Sequence, residues 1–307
     1  MSEDGLSRRE ALLAFLGLAG GAVISGCVPK NSADENYSPV EATAIALGAE
    51  GFRERLAELN PALRENTISI DNSRVAVGQS GVGSGMEGIS GGGTGFVFYQ
   101  ERQSDGKFFS MFVSSRHGNN QWIEEIDVSQ PHLRDDAPMI IKDTSGQRFW
   151  VFDACGDIAL VVTITNRSLV NKETDFIVPI KKDIPVIGET VETLGFPDGA
   201  PSGFVTGGEV VSCGGNEATG PTFDISEPST GANNLSGSPW MSQDGVLLGT
   251  TRGPGDAGGL KAVALGPLME RLVKTWGDKG KNARSVEDFL REEAGIEKNI
   301  WNRLVFE

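Results

Sequence analysis

Apolar residues in this chain recur mainly in short runs or strict alternation, each bounded by Gly, Pro, Asn, Asp or Ser. Thr67 to Val77 alternates apolar and polar positions, the pattern of a strand with one face buried. Phe96-Val97-Phe98-Tyr99, Phe108 to Ser114, Arg148 to Phe152, Ile158 to Ile164, Thr190 to Gly195, Gly207 to Ser212 and Gly245 to Thr251 predict further strands, with turn residues between nearly all of them. Many short strands at such intervals are barrel spacing. A helical period shows at the two ends. Pro39 to Arg64 places Ala, Leu, Phe and Glu at about 3.6-residue spacing after a Ser38-Pro39 start, and this helix is expected on the outside of the domain. Pro267 to Trp276 is a second helical run, and after a Gly/Lys/Asp break a third, amphipathic, extends from Ser285 to about Leu304.

Glycine bears on the same picture. The chain has 41 glycines but only 7% aromatic residues, which argues against a helical bundle and for strands joined by tight turns. Glycines 81, 83, 85, 88, 91, 92, 93 and 95 crowd one segment, Gln79 to Gly95. A phosphate-binding loop would need a Lys-Ser/Thr pair and a following helix; here the strand from Phe96 follows, so the segment reads as a flexible loop leading into a strand. With 307 residues and 38% hydrophobic content the chain can bury a substantial core. A net charge of -15 repels phosphate backbones and excludes nucleic acid as an expected partner. Cys27, Cys155 and Cys213 match no paired C-x-x-C pattern, and His117 and His132 are the only imidazoles, so neither a metal site nor a cofactor is expected.

The N-terminus carries an address. Arg8 and Arg9 precede an apolar run from Ala11 to Ile24 that Gly17, Gly20 and Gly21 interrupt, a layout too short and glycine-rich for a membrane-spanning helix but suited to a signal peptide. The paired arginines resemble a twin-arginine export signal. Ile24-Ser25-Gly26-Cys27 resembles a bacterial lipobox, which implies acylation of Cys27 and anchoring to a bacterial membrane on its periplasmic or cell-surface face. The other reading makes Cys27 an ordinary cysteine after a plain signal peptide. Val28 to about Tyr37 is polar, as a tether is.

Three segments carry candidate chemistry, each a reactive side chain at the edge of an apolar strand. The strand Phe108 to Ser114 leads through Ser115 and Arg116 to His117. Asp157 stands directly before Ile158-Ala159-Leu160-Val161-Val162. Ser236 lies among turn-forming residues in Asn233-Asn234-Leu235-Ser236-Gly237-Ser238-Pro239-Trp240. A serine hydroxyl needs an imidazole to take its proton, an acid to orient that imidazole, and backbone N–H groups aimed at the developing oxyanion.

The order His117, Asp157, Ser236 and their separations resemble the trypsin-like serine peptidase family over roughly Thr67 to Trp276. Asp157-Ile158-Ala159-Leu160 resembles that family's Asp-hydrophobic-Ala-hydrophobic strand, and Ser236-Gly237-Ser238-Pro239 its nucleophile motif. Gly188 to Pro197 is similar to the segment opening the second barrel in bacterial members, and Gly207 to Ser212 to the strand after it. The resemblance implies an all-β, chymotrypsin-like double six-stranded β-barrel with flanking N- and C-terminal helices. It implies a signal peptide over 1–26, a tether and helix over 27–66, a peptidase domain over 67–276 with barrels at about 67–170 and 175–265, and a helical extension over 277–307.

The same resemblance implies a serine endopeptidase acting on proteins or peptides, with His117, Asp157 and Ser236 as the triad and the N–H groups of Asn234 and Ser236 as the oxyanion hole. Thr230 and Gly231 would border the specificity pocket. No acid stands there, so small or medium apolar side chains are expected rather than Lys or Arg. Asn234 replaces the family's usual Gly, though Asn tolerates positive φ better than most residues. Leu235 replaces the Asp used in zymogen activation, so a freed N-terminus is not expected to activate the chain. The alternative is a non-catalytic barrel serving as a surface binding lipoprotein. His132 reads as a solvated loop residue, and whether Cys155 pairs with Cys213 stays open.

Overall fold

The computed structural model describes residues 49–71, 92–115, 125–133, 139–142, 148–154, 157–196, 203–216, 220–226, 235–255, 259–274, 288, 290–292, 295 and 301–307. All of them belong to the unit Val40–Glu307. The segments read as signal peptide and tether, with Cys27, lie outside the described residues.

Eight strands form the first sheet: β1 (Thr67–Asp71), β2 (Gly92–Arg102), β3 (Phe108–Ser115), β4 (Glu125–Ser129), β5 (Met139–Lys142), β6 (Arg148–Ala154), β7 (Ile158–Thr165) and β8 (Phe176–Ile177). They are ordered β5-β4-β1-β2-β3-β7-β6, with β8 pairing onto β2, and every pairing is antiparallel. The second sheet closes as a six-stranded antiparallel barrel from β9 (Thr190–Gly195), β10 (Phe204–Asn216), β11 (Gly220–Ser226), β12 (Pro239–Ser242), β13 (Leu247–Pro254) and β14 (Leu260–Ala264), in the order β10-β11-β14-β13-β12-β9. This is the all-β, chymotrypsin-like double-barrel architecture. Among the described residues the first sheet is a path of seven strands with β8 added, not a closed ring of six.

Burial explains why two of the strands read as continuous apolar runs. β3 is buried at every position and β7 at all but one, because each lies between two cores. Phe109, Met111 and Val113 of β3, with Leu160 and Val162 of β7, face a central core that also takes Leu194, Met241 and Leu247 from the second barrel. Phe112 and Val161 point the other way, onto Ile68, Ile70, Val97, Val128 and Ile141 inside the first sheet. A third core, with Phe223, Ile225, Trp240, Leu248 and Leu260, fills the second barrel. Each such side chain contributes about 1.5–3 kcal/mol when fully buried.

The long N-terminal helix divides. α1 (Ala49–Glu58) and α2 (Pro61–Asn66) are separated at Asn60, whose extended ψ of 129 fits the restriction that Pro61 places on the residue before it. Pro61 starts α2, and the Asn60 side chain accepts from the Ala62 N–H at 2.9 Å as an N-cap. Leu56, Leu59 and Leu63 run through this joint into the central core.

α3 (Leu265–Lys274) follows the last strand directly. The C-terminal extension is helical at residues 288 and 290–292, but it does not continue as a helix to Leu304. Trp301–Arg303 is a short 3₁₀ turn, after which the chain is extended and bridges Ile180 in parallel through Phe306. Ile180 N–H donates to Val305 O at 2.9 Å, Glu307 N–H to Ile180 O at 3.0 Å, and Lys182 N–H to Glu307 O at 2.6 Å. These bonds strap the chain end onto the linker between the barrels. No described helix is long and apolar enough to cross a membrane.

Candidate active site

Leu235 to Ser238 form a tight turn closed by Ser238 N–H donating to Leu235 O at 2.9 Å. Gly237 takes φ +84 at the third position and Ser236 has no positive φ, the signature of a type II turn with Ser236 at its corner. Three contacts lock the turn onto the second barrel. Gly237 N–H donates to Thr251 O at 2.9 Å, Thr251 N–H returns a bond to Ser238 O at 2.8 Å, and Leu235 is wholly buried in the barrel core. Trp240 Nε1 donates to Thr251 Oγ1 at 2.9 Å, so β12 and β13 are tied by a side chain just past the turn.

The turn's other side rests on the first barrel. Ser236 O accepts from Thr94 N–H at 3.2 Å. Gly237 sits so close to the end of β3 that a Cβ there would lie 2.2 Å from Thr94 O, 2.7 Å from Ser114 Oγ and 2.8 Å from Ser115 N. Only glycine fits both that approach and the positive φ. Behind the turn, a Cβ on Gly195 would lie 2.0 Å from Ser238 Oγ, which explains why the last residue of β9 is glycine.

Asp157 occupies the turn between β6 and β7 and is the only described non-glycine residue with positive φ, at 71. Ala154 pairs with Ile158, and Asp157, directly before Ile158, is left-handed, a conformation Asp accepts more readily than most residues. Ile158 also pairs with Ser115, the last residue of β3. The described structure therefore brings together the Ser236 turn, the end of β3 and the strand that Asp157 opens. His117, Asn234, Thr230 and Gly231 lie outside the described residues.

The question left open at Cys213 is answered, and the reading of His132 changes in part. Cys213 carries a free thiol whose Sγ lies 3.1 Å from Pro185 O on the exposed side of β10, so it is not paired with Cys155, itself outside the described residues. Burial, with Asp224 and Glu189 nearby, pushes that thiol above its ordinary range. His132 does lie in the turn after β4, but half-buried and engaged rather than solvated. Its Nε2 lies 2.6 Å from Arg64 O and its ring centroid 5.3 Å from that of Phe196, which docks the β4 end against α2 and β9.

Thr94 and Ser114 carry no motif that marks them as site residues, and residues 92–95, whose glycines suggest a flexible loop, belong to β2. Ser114 Oγ donates to Thr94 O at 2.7 Å, and Thr94 Oγ1 accepts from Phe196 N–H at 2.7 Å. A signal was present in the glycines flanking Thr94, which mark close backbone approach in a strand as readily as they mark a loop. Among the described residues no group of three or more His, Cys, Asp or Glu is placed to hold a metal ion.

No protein-family model matches the chain, and no curated protein matches it. Among solved structures, the inactive form of the Rv3671c protease is 17% identical over 69% of this chain and 90% of that one, with a TM-score of 0.46. A serine-to-alanine variant of Rv3671c from M. tuberculosis H37Rv, also in an inactive form, is 16% identical over 69% of this chain and 87% of that one, with a TM-score of 0.46. Deg5 is 16% identical over 73% of this chain and 92% of that one, with a TM-score of 0.47. Likeness at this level says nothing of chemistry, which depends on the site.

Proposed function

We propose that this chain is a serine endopeptidase, exported through its twin-arginine signal and held at a bacterial membrane by lipidated Cys27. One observation carries the catalytic reading. The Ser236 turn is hydrogen-bonded to Thr94 of β2 and packed through Gly237 against the end of β3, whose last residue pairs beside Asp157, and His117 follows that residue by two in the sequence. Two residues of chain reach at most about 7 Å, a span compatible with His117 acting together with both.

In this reading Ser236 Oγ attacks a substrate carbonyl while His117 takes its proton. The tetrahedral oxyanion is met by the N–H groups of Asn234 and Ser236, then collapses as His117 protonates the leaving amine. Water, deprotonated by the same imidazole, hydrolyses the acyl-enzyme and returns Ser236. Asp157 holds the His117 tautomer throughout. Thr230 and Gly231 border the pocket for the residue preceding the cleaved bond, with small or medium apolar side chains preferred. The chemistry requires no cofactor.

A second reading draws on the backbone at Asp157. A left-handed hairpin position favours Asp without any catalytic role, as it would in a barrel that only binds proteins at the cell surface. Cells producing the full chain separate the two. Membrane fractions are expected to cleave a peptide library, Ser236→Ala to abolish cleavage while the protein stays in place, and Cys27→Ser to move the activity into the soluble fraction. Cleavage that survives Ser236→Ala would overturn the catalytic reading, and activity that stays with the membrane in Cys27→Ser would overturn the anchor.

A further inference from the structure

We infer that Thr94 is a positioning residue for Ser236, the point through which the first barrel sets the place of the nucleophile turn; the inference rests on the peptidase reading above. Thr94 is completely buried, and its main-chain N–H, its main-chain oxygen and its side-chain oxygen are each spent on a different part of the site. Its N–H donates to the carbonyl oxygen of Ser236 itself at 3.2 Å. Its carbonyl accepts from Ser114 Oγ at 2.7 Å, on the strand that leads to His117. Its Oγ1 accepts from Phe196 N–H at 2.7 Å, one residue past Gly195, whose Cα lies against Ser238 on the far side of the same turn.

These bonds triangulate. One runs to the nucleophile, one to the strand approaching the base, and one to the second barrel's support for the nucleophile turn. Thr94 itself is wholly buried, so none of these bonds is replaced cheaply when broken. The branched Cβ of threonine narrows χ1 and keeps Oγ1 aimed at Phe196. The backbone contact of Gly237 with Thr94 O means that a shift of Thr94 is transmitted directly to the residue after Ser236. A displacement of about 1 Å in a reacting group is enough to slow a positioned reaction ~100-fold.

The experiment measures the second-order rate of Ser236 labelling by a fluorophosphonate, at a temperature where each variant is folded and across the range in which imidazole titrates. Thr94→Val keeps the shape and loses the Phe196 acceptor, Thr94→Ser keeps the acceptor, and Ser114→Ala removes the donor to Thr94 O. Thr94→Val is expected to lower the plateau rate by about 10-fold or more, with the pH midpoint unmoved and most of the rate restored in Thr94→Ser. Ser114→Ala is expected to slow labelling as well, and the double variant to lose less than the product of the two single losses, because both act through one residue. A purely structural threonine would lower the melting temperature and leave the rate of the folded protein unchanged. Folded Thr94→Val at the wild-type rate, or Thr94→Ser as slow as Thr94→Val, would overturn the inference while leaving the peptidase reading intact. Should Thr94→Val not fold, Ser114→Ala decides: a wild-type rate overturns the inference and a slowed one supports it. A folded wild type that takes no label overturns the peptidase reading and the inference with it.

Discussion

Glu192 and Asp157 show how single residues here answer to their surroundings. Glu192 sits half-buried on β9, where it accepts the Asn60 N–H at 2.8 Å. Burial pushes its carboxyl above the ordinary 4.5, and the Asn60 bond pulls weakly the other way. The folded chain therefore keeps this proton to higher pH than the unfolded chain does, and stability falls as pH rises from 4.5 through the folded value. Glu192→Gln keeps an acceptor for Asn60 and escapes that loss. Its melting temperature is expected to match or exceed wild type at neutral pH, with the advantage gone below 4.5; a deficit of constant size at every pH would contradict this. Ser236 and Asp157 stand out in the sequence as candidates because a reactive residue beside an apolar strand leaves a local motif. Thr94 left none, since its role comes from partners on β3, on β9 and in the nucleophile turn, all distant in sequence.

At the scale of elements, the Ser236 turn depends on the glycine at 237. Gly237→Ala would force a Cβ into backbone atoms of β2 and β3 that cannot move aside, at a φ that disfavours any L side chain. Loss of about 2 kcal/mol or more is expected in chemical denaturation. Gly253→Ala on β13, with nothing within 4 Å of the added carbon, serves as the control and is expected to stay within about 0.5 kcal/mol of wild type. Equal stability of the two variants would refute the close approach. β9 was readable to the residue and β3 and β7 to within one, because they are alternating or wholly apolar and end at clear turns. β4, β11 and β14 were not read, for Asp or Lys interrupts their apolar positions, as Asp224 and Lys261 do, which face each other across β11 and β14 with N–O at 3.7 Å. β12 was hidden inside the serine motif, where Pro239 and the preceding glycine suggest turn alone. The helix break at Asn60 was marked by Pro61, but apolar periodicity continues across it and masked the stop.

At the scale of the molecule, two barrels are joined by more than their central core. The linker between them pairs with the second barrel through Lys181 N–H to Leu247 O and Leu247 N–H to Pro179 O, at 2.9 and 2.8 Å, and the chain's last residues pair with that linker. Arg303 Nη1 reaches Glu101 at 2.7 Å and Tyr99 Oη at 3.3 Å, tying the extension to β2 as well. No local pattern announces a strap of this kind, because its partners lie over a hundred residues away and its bonds are main-chain. The double barrel itself was legible through the resemblance that the three chemical segments carry, with turn spacing in agreement, although several of its strands went unread.

All of this converges on whether Ser236 is an activated nucleophile, and mass mapping of a fluorophosphonate adduct measures that most directly. The folded wild-type protein is expected to carry one adduct, on Ser236, and neither Ser236→Ala nor His117→Ala to acquire it. Asp157→Asn, which can hold the left-handed turn, is expected to stay folded and label about 10⁴-fold more slowly. A folded wild type that takes no adduct, an adduct on another serine, or Asp157→Asn reacting at the wild-type rate would contradict the account.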